Sequence, residues 1–253
     1  MPLFRWSFIL SFACLALVGG PAAVRADDFR VDNKVVFPGQ EPILSTTLFA
    51  NGKVYNCLDA VKKTLVFDKT AGVIVILDQA KQTKTQIAMV DVSAAIGRLR
   101  EAVRSDKREV IRMSASPQFT ENINPQTGRL ILDSKWTTYI VATEAPENPF
   151  AARQYNEFAD WQIQIAAVLN PMPPFARLKL NEVLKRRQEA PTEIDLISRG
   201  ENEKQPHEVR SEHRYTWRLS PADQQRIAVA NQQLENFQQI PFEEFRRAAD
   251  ADK

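Results

Sequence analysis

The segment from residue 29 to residue 89 alternates apolar and polar side chains with a period of two. Phe29 and Val31, for example, alternate with Arg30, which is typical of a strand with one buried and one wet face. Asn51 and Gly52 separate two β-prone runs and predict a type I′ hairpin, because both residue types tolerate positive φ. Turn residues predict two further hairpins, at 69–72 and 79–81. The segment should therefore form a meander of about six strands.

One run in this meander, Val73 to Leu77, is apolar at every position. A strand with apolar side chains on both faces needs cover on both faces. We therefore expect an inner strand, with helices from later in the chain packed above and below it.

A period of 3.6 residues replaces the strand pattern in four places and predicts four helices. The predicted helices run from residue 91 to 104, from 149 to about 170, from 176 to 187, and from 221 to about 237. Two of them have clear start signals, because Asn148 and Ser220 are N-cap residues and each is followed by a proline.

The last predicted hairpin pairs residues 193–198 with 208–219. Its second strand is the most regular in the chain, and its one face carries Val209, Ser211, His213, Tyr215 and Trp217. The predicted fold class is α+β, with a curved antiparallel β meander of about ten strands, for which a half-barrel is one form, and about four helices packed on it. We expect a single domain over residues 27–245, and a frayed tail over 246–253.

The first 26 residues have the order of a secretory signal peptide: a charge at Arg5, the apolar run 6–18, then helix breakers before Ala26. Cleavage is expected after Ala26, with Ala22 and Ala23 as alternatives. About 13 apolar residues span only ~20 Å as a helix, against roughly 30 Å of bilayer hydrocarbon, which argues against a retained membrane anchor. A lipoprotein acylated at Cys14 is the other alternative. The expected location is therefore the periplasm or the extracellular space.

Removal of this segment changes the charge of the chain. Lys plus Arg falls from 33 to 31 through loss of Arg5 and Arg25, and 31 Asp plus Glu remain, so the net charge becomes zero. Nucleic-acid binding normally needs a basic surface, so the balance argues against a nucleic-acid partner. Only Cys57 remains of the two cysteines, which leaves no internal disulfide. No transmembrane span is expected in the mature chain.

No recognised catalytic, metal or cofactor motif is found. His207 and His213 lie on or beside the last strand, about 20 Å apart at the usual rise, which is too far to share a metal unless a bulge or bend intervenes. Residues 209–213 resemble an inverted zincin motif, but Val209 stands in place of its first histidine. We expect His213 to be a half-buried imidazole hydrogen-bonded to a neighbour, and Cys57 to pack as a small apolar side chain. Catalytic residues, metals and cofactors are therefore all predicted to be absent.

Aromatic side chains offer the main candidates for ligand binding. The residues that we expect to line an apolar cavity are Tyr155, Phe158, Trp161, His213, Tyr215 and Trp217. The competing interpretation is that the first three, at helical spacing, belong to the core. The arginines on the other face of the last strand alternate with Glu212, which favours a solvated face with internal ion pairs.

The consecutive hairpins around Asn51-Gly52-Lys53-Val54-Tyr55, Phe67-Asp68 and Leu77-Asp78, in an exported chain with covering helices, resemble the bacterial periplasmic lipoprotein carriers, the LolA-like half-barrel family. That resemblance implies an apolar cavity between sheet and helices that shelters a lipid or acyl chain. The chain departs from the family pattern at its start, since those carriers begin with a helix and a strand is predicted here almost from Asp28.

Three functions remain as hypotheses. The first is an exported, non-enzymatic protein that binds an apolar ligand, such as a lipid, or an envelope protein. The second is a structural or assembly factor of the envelope that binds no ligand. The third is a hydrolase with dispersed carboxylates, for which the two acidic groups would have to lie ~5 to 10 Å apart. An apolar cavity larger than a few hundred Å³ favours the first hypothesis, and a filled core the second. Convergent carboxylates, or a histidine with a perturbed pKa in a polar cleft, favour the third.

Overall fold

The chain folds into one large β-sheet with helices on both of its faces. The computed structural model describes residues 28–170, 172–201 and 205–251. Within them the strands are β1 (Phe29–Val36), β2 (Ile43–Ala50), β3 (Lys53–Leu58), β4 (Lys63–Asp68), β5 (Val73–Asp78), β6 (Thr83–Ala88), β7 (Thr120–Ile123), β8 (Leu130–Asp133), β9 (Thr137–Glu144), β10 (Ala190–Ser198), β11 (His207–Thr216) and β12 (Gln238–Gln239). The helices are α1 (Met89–Arg104), α2 (Glu109–Ser114), α3 (Pro149–Leu169), α4 (Phe175–Arg187), α5 (Pro221–Asn236) and α6 (Phe242–Ala251).

The twelve strands follow the order β12-β6-β5-β4-β3-β2-β1-β11-β10-β9-β8-β7. Strands β1 to β6 form the predicted meander, each antiparallel to the next. The two halves of the sheet meet where β1 pairs with β11, and only β12 is parallel to its neighbour. Because β12 and β7 occupy opposite edges, the sheet is open and does not close into a barrel. The α+β class is confirmed, but the described residues hold twelve strands and six helices rather than about ten and four.

Strand β5 shows how the two faces of the sheet are covered. Ile74 and Ile76 pack in the same cluster as buried residues of α1 and α3, whereas Val75 and Leu77 pack with Ile227 of α5. The prediction of an inner strand buried on both faces is confirmed. We call the side that carries α1 and α3 the helical face and the other side the opposite face.

Helix α4 covers the second half of the sheet on the helical face. Its buried residues Leu180, Val183 and Leu184 contact β8, β9 and β10. Ile194 pairs with Ser211, and Ser211 pairs with Val35. Because paired residues lie on the same face of a sheet, these contacts are on the face that α3 covers. Helices α3 and α4 therefore lie side by side over the sheet.

The first hairpin turn and the helix starts follow their sequence signals. Asn51 and Gly52 have φ of 53° and 77°, as a type I′ turn requires. The Asn148 side chain accepts a hydrogen bond from the Phe150 N–H at 2.8 Å, with Pro149 at the first helical position of α3. Ser220 and Asp223 form a reciprocal capping box at the start of α5.

This capping box gives a prediction about stability. Ser220 Oγ accepts from the Asp223 N–H at 3.2 Å, and the Asp223 carboxylate accepts from the Ser220 N–H at 2.9 Å. Ser220→Ala should lower the free energy of unfolding by about 1 kcal/mol, measured by urea denaturation. Ser220→Gly is the matched control and should cost only about 0.3 kcal/mol, because glycine is tolerated at the N-cap. Equal losses from the two variants would contradict a capping role.

The predicted signal peptide and Cys14 lie outside the described residues, so export and lipid anchoring stay predictions. The domain boundaries 27–245 also stay predictions. Helix α6 extends to Ala251, into the segment 246–253 for which the sequence predicts fraying. Among the described helices, none combines the length and the apolar character needed to cross a membrane.

Candidate functional site

A cavity of about 320 Å³ lies between the helical face of the sheet and helices α3 and α4. Strands β1, β2, β9, β10 and β11 form its floor, and α3 and α4 form its roof. Most of the side chains around it are apolar or aromatic, among them Val35, Tyr139, Phe158, Ile163, Ile194, Leu196 and Val209. We call it the helix–sheet cavity. Its size and its lining are those of a small-molecule site.

Three of the six predicted cavity residues, Tyr155, Phe158 and His213, line the helix–sheet cavity. Tyr215 and Trp217 do not line it but pack beside it in the core of the helical face. Their rings stack with centroids 5.2 Å apart, and Tyr215 also meets the ring of Tyr155 at 5.5 Å. Both interpretations of the aromatic residues thus describe part of the arrangement, since Tyr155 and Phe158 belong to the core cluster and also face the cavity.

Trp161 lines a second cavity, of about 310 Å³, between α3 and the β2–β3 and β4–β5 turns. Phe158 lines both cavities. Its ring packs edge-on against Phe49 and Phe67, with centroids 5.6 and 5.1 Å away. Phe158 therefore forms a wall between the two spaces.

A chain of hydrogen bonds holds His213 at the floor of the helix–sheet cavity. Its Nδ1 lies 2.9 Å from Asn33 Oδ1 and 3.3 Å from the Tyr155 hydroxyl. The Asn33 amide nitrogen donates to Thr47 Oγ1 at 3.0 Å, which leaves Oδ1 as the acceptor towards His213. This pattern assigns the proton to Nδ1. The expectation of a hydrogen-bonded, half-buried imidazole matches this geometry.

The other ring nitrogen of His213, Nε2, is buried and has no hydrogen-bond partner among the described residues. Burial, followed by the positive charge of Arg177, lowers the pKa of His213 from 6.5 to about 3. The imidazole is therefore neutral at physiological pH. Because Nδ1 carries the proton, Nε2 presents a lone pair that can accept a hydrogen bond.

Arg177 is the cationic group of the cavity, and the sequence did not single it out. It lies on α4, is partly buried and lines the helix–sheet cavity. Its Nε donates to Asn181 Oδ1 at 2.9 Å, and the Asn181 amide nitrogen donates to Asp160 Oδ1 at 2.9 Å. A bridging amide thus links Arg177 to Asp160 of α3, and the charge of Arg177 also acts on that carboxyl. The spacing of Arg177 and Asn181 by four residues was the only sequence signal for this pair.

The phenols near Arg177 stay protonated at ordinary pH. Burial raises the pKa of Tyr155, and it raises the pKa of Tyr139 to about 12. The Tyr215 hydroxyl donates to the Pro191 carbonyl oxygen at 3.0 Å. Neutral phenols cannot balance the positive charge of Arg177, so the guanidinium is the dominant charge at this site.

A larger open groove of about 880 Å³ lies on the opposite face. Several of its charged side chains pair with one another: Lys34 with Glu212 at 3.3 Å, and Arg129 with Glu193 at 2.6 Å. Arg210 beside it pairs with Asp195 at 2.7 Å. This agrees with the predicted solvated face with internal ion pairs, so its size alone does not make the groove a binding site.

The remaining candidates for chemistry do not assemble into a site. No group of three or more His, Cys, Asp or Glu side chains is placed to hold a metal ion in the described part of the chain. Cys57 is 6% exposed, and burial raises the pKa of its thiol. A buried thiol with a raised pKa is a poor nucleophile, consistent with its predicted packing role.

No protein-family model matches the chain, and no curated protein matches it either. The function must therefore be argued from the cavity and its residues.

Proposed function

We propose that this protein is an exported, non-enzymatic binding protein that holds an apolar ligand, such as an acyl chain, in the helix–sheet cavity. The observation that carries the proposal is the cavity itself: about 320 Å³ of space with a largely apolar lining beneath α3 and α4. The predicted signal peptide supplies the expected compartment, and no cofactor forms part of the proposal.

The chemistry of His213 supports binding rather than catalysis. A general base works best when its pKa lies near the working pH, and the pKa of His213 is about 3. The side chain that bonds its Nδ1 is the neutral Asn33, not a carboxylate that would stabilise an imidazolium. A hydrolase built around this histidine would therefore have a weak base.

The resemblance to the periplasmic lipoprotein carriers points in the same direction. An open antiparallel sheet whose helical face carries α1, α3 and α4 provides the space between sheet and helices that such carriers use. We include in this proposal that the sheet is curved and has the form of a half-barrel. A fold of this kind supports many functions, so the ligand has to be tested directly.

The test is native mass spectrometry, with lipid extraction, of protein purified gently from its own envelope. We expect a co-purifying apolar molecule bound to the wild-type protein and lost from Ala159→Phe, because Ala159 lines the cavity and is 8% exposed. Ala94→Phe makes the same substitution on the exposed surface of α1 and should retain the ligand. Circular dichroism checks that both variants fold. Wild-type protein without any bound molecule would overturn the proposal.

A further inference from the structure

We propose that the ligand of the helix–sheet cavity is an amphiphile with an acidic head group, and that Arg177 binds this head group while the apolar tail fills the rest of the cavity. This inference rests on the proposed function and narrows it to one class of ligand.

The first argument is that Arg177 has no ion-pair partner in the described part of the chain. Arg177 is partly buried beside an apolar cavity, and although its charge acts on the Asp160 carboxyl, no carboxylate among the described residues lies within ion-pair distance of it. Charges withdrawn from water are normally paired, because an unpaired buried charge is costly. A ligand carboxylate or phosphate would supply the missing partner.

The second argument is the way in which Arg177 is held. The bond from its Nε to Asn181 Oδ1 fixes one side of the guanidinium, and Asn181 is only 2% exposed. The same amide bonds to Asp160, whose pKa is raised chiefly by burial. This support holds the guanidinium through Nε. Arg177 also interacts with the Tyr155 hydroxyl, and no carboxylate among the described residues takes up its terminal nitrogens as an ion pair would. Those nitrogens are suited to the two oxygens of an acid group.

The third argument is a hydrogen-bond acceptor that lines the same cavity as Arg177. His213 Nε2 is an acceptor without a partner. A phosphate monoester that carries one proton can donate its O–H to Nε2 while a charged oxygen accepts from Arg177, whereas a carboxylate can pair with Arg177 but has no proton to donate to Nε2. An aliphatic alcohol can donate to Nε2 but brings no negative charge. Acid and alcohol of equal chain length therefore separate the contribution of Arg177 from that of the tail and of His213.

The experiment measures binding of dodecanoate, dodecyl phosphate and 1-dodecanol to the delipidated full-length protein by displacement of a fluorescent fatty-acid probe. Wild-type protein should bind at least one of the two acids about tenfold or more tightly than the alcohol. The comparison of the two acids identifies which head group is preferred. Arg177→Gln should remove that preference and leave alcohol binding unchanged.

Two variants control the result. Arg177→Lys retains the charge and should retain part of the preference for the acid. Arg153→Gln removes an arginine from the second cavity and should leave the preference intact. Thermal denaturation of each variant checks its folding.

The outcomes separate the two proposals. Equal binding of acids and alcohol to the wild-type protein would overturn the role of Arg177 but leave apolar-ligand binding standing. A preference that persists in Arg177→Gln would also overturn this role. Failure of all three compounds to bind, together with ligand-free protein from the envelope, would overturn both proposals.

Discussion

Phe49→Ala should lower the free energy of unfolding by about 3 to 5 kcal/mol, the usual cost of truncating a fully buried phenylalanine. Phe49 is 1% exposed, and its ring stacks on Phe29 with centroids 4.0 Å apart. It also meets the ring of Phe158 edge-on. The truncation removes both ring contacts and leaves a cavity where β1, β2 and α3 meet. For a chain of this size, each kcal/mol corresponds to roughly 2 to 4 °C in Tm.

Urea denaturation, followed by circular dichroism and tryptophan fluorescence, measures this loss. Phe150→Ala is the matched control, because Phe150 lies at the start of α3 but is 42% exposed. Its truncation should cost less than about 1 kcal/mol. A similar loss from both variants would mean that Phe49 does not anchor the α3 interface.

The predictions that succeeded depend on local sequence. Asn51 and Gly52 determine a turn through their own tolerance of positive φ, and Ser220 caps the helix that starts at the next residue. The apolar run Val73–Leu77 predicts its own burial, because a strand with apolar side chains on both faces must be covered on both faces. Patterns of this kind need no knowledge of distant residues.

The features that the sequence did not predict depend on distant contacts or on weak local patterns. Strand β12 consists of two glutamines that pair with β6, and nothing in their own chemistry marks them as a strand. Helix α2 has only six residues, too short for its period to be recognised. The pairing of β1 with β11, which makes one sheet from two halves, joins residues about 180 positions apart.

The residues of the candidate site likewise fall into those that the sequence predicted and those that it did not. Tyr155, Phe158 and His213 were predicted because aromatic residues on regular faces stand out. Asn33 and Arg177 were not, since their importance comes from lying near His213 and the cavity in space. Judged from its own strand, Asn33 is an ordinary polar residue. Judged from its own helix, Arg177 is an ordinary surface cation.

The pH dependence of stability should reveal the buried state of His213. Its pKa is about 3 in the folded protein, against 6.5 for an unperturbed histidine. Above pH 6.5 the imidazole is neutral in both the folded and the unfolded chain, and it makes no pH-dependent contribution. Between pH 6.5 and about 3, the imidazole is protonated in the unfolded chain but stays neutral in the folded chain. Stability should therefore fall as the pH falls, by up to about 1.4 kcal/mol per pH unit.

His213→Asn isolates this contribution from that of the carboxylates, because asparagine retains a donor for Asn33 and does not titrate. The free energy of unfolding should be measured for both proteins at pH 7.5 and pH 4.5. The advantage of the wild type over the variant should shrink or reverse by about 2 to 3 kcal/mol between these values. A constant difference between wild type and His213→Asn would mean that His213 takes up its proton in the folded protein as readily as in the unfolded chain, and that the floor of the cavity is open to water.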